Sequence, residues 1–317
     1  MKGLDHSLAL NKNLDQRARE RFTSSMRAWV LTDLASQMQV DYEKSSAEAG
    51  QRHDSGEAVH QYVKNRDIFK WYSSLRCATQ ELVWQSVLSA IASDPESIEQ
   101  ISKQSEATHG GSLMLDAAIE LPDYTESMDV HLMPGNYQGT EDSGAEAGAV
   151  YDNGLEVFSF GVMGKNLDDI GHSMANYTRL KWPQLRPQLI VDVGCTIGHN
   201  TLPWKQTFPN ADVHGLDVAP SCLQYGHARA EAFAVPIHFR QASCEALPYE
   251  DGSVDVVLSS MFLHELPTHL IRAFFQEAHR VLKPGGVLIN MELPPNDVLG
   301  AYDAFYLDWD CFYNNEP

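Results

Sequence analysis

"LIVDVGCTIGHNT", Leu189 to Thr201, decides the fold. Its first residues are a continuous apolar run, as in a strand buried on both faces. The run breaks at an acid, Asp192, and two glycines follow, Gly194 and Gly198. Glycines at that spacing let the backbone turn tightly and approach a ligand with no Cβ in the way. The polar residues after Gly198 suit the start of a helix. The stretch therefore reads as strand, tight loop and helix.

Working outward, the same alternation repeats. "DVHGLDV" (212–218), "PIHFRQAS" (236–243), "VDVVLSSM" (254–261) and "GVLINMEL" (286–293) read as strands. "PSCLQYGHARAEAF" and "THLIRAFFQEAHRVLK" between them read as helices. Strand and helix in alternation predict an α/β fold, a doubly wound, Rossmann-like parallel sheet. Ligands in such sheets sit beyond the carboxyl ends of the strands, at the switch point.

Asp192 bears on the ligand. A dinucleotide fold aims a helix N-terminus at a pyrophosphate, and a carboxylate there repels it. A cationic ligand fits better. Asp217 ends the second strand, 19 residues after Gly198 (217 − 198). An acid at that place accepts hydrogen bonds from ribose hydroxyls. A ribose and a positive charge, with no phosphate demanded, describe S-adenosyl-L-methionine.

These residues resemble the class I S-adenosylmethionine-dependent methyltransferases, in particular the small-molecule group that includes the ubiquinone and menaquinone biosynthesis enzymes. The family's acid-x-Gly-x-Gly-x-Gly motif is matched by Asp192, Gly194 and Gly198, with Thr196 at the middle glycine and Cys195 inside the loop. Thr196 is tolerable there at negative φ. Asp217, with Val218, matches the ribose position. The family's adenine-contacting aspartate is Ser243 here, so adenine recognition leans on Cys244 and Glu245. "RVLKPGGVLI" matches the family's closing helix–turn–strand. The resemblance implies that the cofactor site also takes in Ser260. Tyr151, His172 and Tyr177, on the approach to the first strand, are placed near the cofactor by position alone.

His264 and Glu265, in "SSMFLHELP" just past the fourth strand, stand where this fold brings acceptor and methyl together. Neutral His264 is the candidate general base, against a packing role. The family's sheet closes with an antiparallel hairpin. Only 24 residues (317 − 293) follow the fifth strand, and "DAFYLDWDCFYNNEP" reads as helix or loop. The hairpin is therefore absent, supplied by 112–150 or by another subunit, or lost from a C-terminally incomplete chain, which we favour.

The remainder reads as additions to that core. Residues 1–110 are an N-terminal helical region, 111–187 a substrate, lid and linker region, and 188–317 the cofactor-binding core. Apolar residues at helical spacing run from Leu14 to about residue 40, and again over 57–92 as two helices or one bent one. "DYEKSSAEAGQRHDSGEA" (41–58) reads as a connection, with Asp54 or Ser55 capping the next helix. "SLMLDAAIEL" and "MDVHLMPGNY" are short strands or extended loops, and 138–149 is loop-like. The N-terminal helices are expected over the cleft mouth, in a homodimer contact, or both.

Composition bounds the partners. A net charge of −20 repels nucleic acid and anionic lipid. The N-terminus has no signal-peptide apolar segment, and no run is long enough to span a bilayer. Five cysteines without a CxxC pair offer neither a disulfide framework nor a structural zinc site. The reading is a cytoplasmic enzyme, without a metal, that methylates a small organic molecule. The alternative is a degenerate methyltransferase core that holds a nucleoside or a partner without turnover, and Thr196 and Ser243 favour it. A nicotinamide-dependent reductase is the third reading, disfavoured by Asp192.

Overall fold

The computed structural model describes the chain apart from residues 1–5, 104–107, 120, 124, 126–127 and 139–143. Helices come first: α1 (Leu14–Trp29), α2 (Ala35–Glu48), α3 (Gly56–Val63), α4 (Asp67–Ala92) and α5 (Pro95–Lys103). Strand β1 (Ser112–Met114) follows, then α6 (Glu146–Phe158) and α7 (Asp169–Lys181). The core runs β2 (Leu189–Val193), α8 (Leu202–Thr207), β3 (Asp212–Asp217), α9 (Pro220–Ala232), β4 (His238–Gln241), β5 (Val254–Ser260), α10 (Thr268–Val281), β6 (Leu282–Met291) and α11 (Ala301–Tyr313).

The sheet has six strands in the order β1-β4-β3-β2-β5-β6, and every adjacent pair is parallel. Alternate residues feed opposite faces. Ile190, Val213, Val256 and Leu258 pack with Ala175, Trp204 and Leu223 on one side. Val191, Val193, Leu216 and Val257 pack with Leu270, Phe274 and Ala278 of α10 on the other. The chain reverses its winding between β2 and β5, so the loop after β2 opens onto the switch point. All five predicted core strands form; β6 begins four residues earlier than the sequence suggested, at Leu282.

Residues 112–114 form the sixth strand, but at the edge beside β4. They do not replace the hairpin expected beyond β6. There α11 forms instead and packs Phe305 and Trp309 against Val59, Val63 and Tyr72. "MDVHLMPGNY" forms no strand; it folds as a 3-10 turn over Val130–Leu132 and further turns. Of the loop expected at 138–149, residues 139–143 lie outside the described ones and 146–149 begin α6.

The connection read over 41–58 is largely helix. α2 joins α1 through a π-helical turn at Val30–Leu34 and continues to Glu48. Its alanine, glutamate and lysine are good helix formers, and Ser46 is buried. The helix stops where Gly50 takes φ +62°. Ser55 then caps α3 by accepting from the Ala58 amide. No helix among the described residues is long and apolar enough to cross a membrane.

Candidate active site

The turn after β2 is built on left-handed backbone. Gly194 has φ +75° and Gly198 +69°. A Cβ on Gly194 would stand 2.3 Å from the Phe262 ring, and one on Gly198 2.6 Å from Phe239. Glycine is required at both places. Thr196 also has positive φ, +49°, which corrects the expectation of negative φ. A β-branched residue there is strained, and the conformation directs its amide to Asp217 Oδ2 at 2.8 Å.

Asp192 is buried and Asp217 half-buried. Asp217 Oδ1 accepts from the Ala219 amide at 2.9 Å. Burial still pushes its carboxyl up to about 6, against the pull of those two amides. Asp192 is held at Oδ2 by the Thr201 hydroxyl, 2.6 Å away. Among the described residues its Oδ1 has no partner, and burial lifts the group to about 7. An acid with a spare buried oxygen is disposed to meet a cation.

A cavity of about 360 Å³ opens from this turn, within the range of small-ligand sites. Asp192, Gly194, Cys195, Thr196, Asp217, Val218, Ser260, Tyr151, His264 and Glu265 all line it. A second recess of about 30 Å³ is lined by Ser243 and Cys244 together with Phe262 and Leu266. That is room for a water or two, not a purine. Gly198 and Glu245 line neither space, and Glu245 is exposed. Tyr177 is half exposed against Trp182, and His172 pairs with Asp168. These last two lie on outer turns of α7, so proximity in sequence to β2 misplaced them. Cys195 is a packed thiol whose burial drives its pKa well up.

The far end of the cavity comes from distant parts of the chain. His264 Nδ1 lies 2.7 Å from Glu292 Oε1, and His131 Nε2 lies 3.0 Å from Glu265 Oε1. The Tyr137 hydroxyl donates to the same Glu265 oxygen at 2.7 Å. His131 Nδ1 faces Glu316 at 3.2 Å. Burial alone would lower the His264 pKa. The hydrogen bond to Glu292 and the charges of Glu265 and Glu292 outweigh it and hold the ring up at about 9. Without other ligands, that ring is an imidazolium at neutral pH, which corrects the expectation of a neutral base. Burial pushes Glu316 to about 7. His199, buried beside Tyr151, is driven down to about 3 and stays neutral.

Sequence reasoning missed His131, Tyr137, His199, Glu292 and Glu316. Two of them carried a signal. His199 directly follows the glycine turn, and Glu292 follows the carboxyl end of β6, where ligands gather. His131 and Glu316 carried none.

Residues 190–286 match a family described as a methyltransferase domain. The chain carries a methyltransferase domain. A malonyl-[acyl-carrier protein] O-methyltransferase from Hahella chejuensis is 38% identical over 38% of this chain and 40% of its own length. A demethylmenaquinone methyltransferase from Thermus thermophilus is 34% identical over 38% of this chain and 53% of its own. A Rickettsia typhi PKMT2 structure in complex with AdoHcy aligns at 18% identity over 38% of this chain and 25% of that one, with a TM-score of 0.35. The chain spans about half the length of the curated relatives it matches. The matched segment holds the methyltransferase domain's glycine turn, Asp192, Asp217 and His264; His131, Glu292 and Glu316 fall outside it.

Proposed function

We propose that this chain transfers a methyl group from S-adenosyl-L-methionine to a small organic molecule in the cytoplasm. One observation carries the reading: the Asp192–Asp217 cradle opens into the same cavity as a chamber walled by Trp84, Leu155, Phe158, Ile170, Leu293 and Leu307. Asp217 retains acceptor capacity for ribose hydroxyls beyond its two amide bonds. The spare oxygen of Asp192 suits the cationic end of the cofactor. Gly194, Cys195, Thr196, Val218, Tyr151 and Ser260 line its bed, and Ser243 and Cys244 flank the adenine position. Gly198 shapes the turn behind the bed.

The cofactor supplies an electrophilic methyl. The chain aligns an acceptor behind it and excludes water, a contribution of about 7–11 kcal/mol in favourable cases. The acceptor is largely apolar with one polar group, which meets His264 and Glu265. These two orient that group, and the cluster around them takes up its proton.

The small recess at Ser243 and the strained Thr196 favour a second reading, a core that binds without turnover. Labelled S-adenosylmethionine incubated with pooled metabolites separates the two. Release of S-adenosylhomocysteine with a labelled product supports the enzyme, and binding without release supports the alternative.

A homodimer through the N-terminal helices belongs to the same proposal. Phe22 and Trp29 are seven residues apart on one face of α1, and both are exposed. Phe22→Glu is expected to halve the mass measured by light scattering. An unchanged mass in the wild type and variant sinks the dimer.

A further inference from the structure

We propose that the far end of the cavity binds one divalent transition-metal ion, held by His131, His264 and Glu316. One nitrogen from each ring and one oxygen of Glu316 lie within 4.8 Å of one another. Imidazole and carboxylate donors stand about 2.0–2.2 Å from such an ion, hence roughly 3.4 Å from each other in a tetrahedral site. Small torsional changes in Glu316 and His264 cover that difference. Two imidazoles and a carboxylate suit zinc, with a fourth position left open toward the cavity.

Three features separate this group from a chance cluster. The first is the Glu292 carboxylate on His264 Nδ1. It places the ring proton on that nitrogen and leaves the Nε2 lone pair for an ion, the arrangement that orients metal-ligating histidines. The second is how His131 is held. Its amide donates to the Asn314 carbonyl at 3.0 Å. Its own carbonyl accepts from Gln80 Nε2 and Trp84 Nε1, both at 2.8 Å. These contacts fix a residue whose backbone sits at φ +54°, a conformation kept only where the surroundings impose it. The third is buried negative charge. Glu316 is 8% exposed and Glu265 lines the same space, and among the described residues the buried Asn314 Oδ1 has no partner. With Glu292, three carboxylates surround two histidines, an excess of negative charge that a divalent ion would balance.

Glu265 Oε1, 3.0 Å from His131 Nε2 and 4.0 Å from His264 Nε2, is the outer partner of the site. An acceptor hydroxyl or thiol on the open position would lose its proton more readily. The freed pair would form the bond to the methyl carbon, the carbon–sulfur pair would return to the cofactor sulfur, and the proton would leave to solvent. That last step rests on the methyltransferase reading; the metal site does not.

The test uses the full chain, treated with EDTA and dialysed. Zinc chloride is titrated in by calorimetry and cobalt(II) chloride by visible absorption. We expect one zinc per chain and cobalt d–d bands of a low-coordinate site. His264→Ala and Glu316→Gln should each weaken zinc by about 100-fold or more, and Glu292→Gln by about 10–100-fold. Glu316→Gln preserves shape, so it keeps the test sound if the histidine variant melts early. S-adenosylmethionine binding, measured in parallel with and without EDTA, reports on the other reading separately. An absent zinc isotherm, or equal affinity in wild type, His264→Ala and Glu316→Gln, would show an ion-pair cluster only and overturn the site.

Discussion

The glycine-turn end of the cavity comes chiefly from the carboxyl ends of neighbouring parallel strands, whereas the histidine end is gathered from α4, the 130–137 turns, α6, the loops after β5 and β6, and the C-terminal segment. At the first end the backbone dominates: positive φ at Gly194, Thr196 and Gly198, and amides aimed at Asp217. At the second end side chains dominate, through a chain of contacts from Tyr137 to Glu265 to His131 to Glu316. A fold family shares the first kind of end because the sheet builds it. The second kind depends on what each chain adds around the sheet, and there specificity resides.

If the two ends act separately, their variants should separate by readout. The largest effect is expected at the histidine end. His264→Ala should lower turnover by about 10²–10⁴-fold while cofactor affinity stays within a factor of a few. A matching loss of cofactor affinity in calorimetry would erase the distinction. On the proposed cofactor pose, Asp217→Ala removes two charge-assisted ribose bonds, together about 2–4 kcal/mol. S-adenosylmethionine affinity should then fall roughly 30- to 1000-fold. Unchanged affinity in a folded variant sinks the cofactor assignment of that acid.

Asp192 sharpens the comparison through stability. Its native pKa of about 7 lies above the ordinary 3.8. Between those values the folded chain holds a proton that the unfolded chain has released. Stability therefore declines as pH rises through about 4 to 7 and levels off above. Asp192→Asn should flatten that slope and stabilise the protein at pH 8 by about 1–4 kcal/mol, while weakening the cofactor. Denaturant titrations at pH 5 and pH 8 check it; a variant less stable than wild type at pH 8 contradicts it.

The smallest effect tests the backbone. Gly194→Ala places a Cβ against Phe262 in a left-handed conformation and should cost about 1–3 kcal/mol. Gly194→Ala with Phe262→Ala relieves the clash but not the strain. Partial recovery of the melting temperature is expected, and full recovery would show that φ at this turn matters little.

The strands around the cofactor end were legible because apolar runs closing on Asp192, Asp217 and Ser260 have no other stable reading. The C-terminal helix was half legible: "DAFYLDWDCFYNNEP" read as helix or loop, yet nothing in it pointed at the cavity. His264 was found by its place after β5, but its protonation was misjudged, since Glu292 lies 28 residues away (292 − 264) and reaches it only in the folded sheet.

By itself the sequence determined the parallel sheet, the glycine turn and the two acids of the cradle, because each depends on residues close together in the chain and on the short-range geometry of strand and turn. Only the tertiary structure decided the charge state of His264, the small size of the recess at Ser243 and the meeting of His131 with Glu316. Those depend on burial and on contacts across as many as 185 residues (316 − 131), and the cost of burying a charge is set by whatever the fold places beside it.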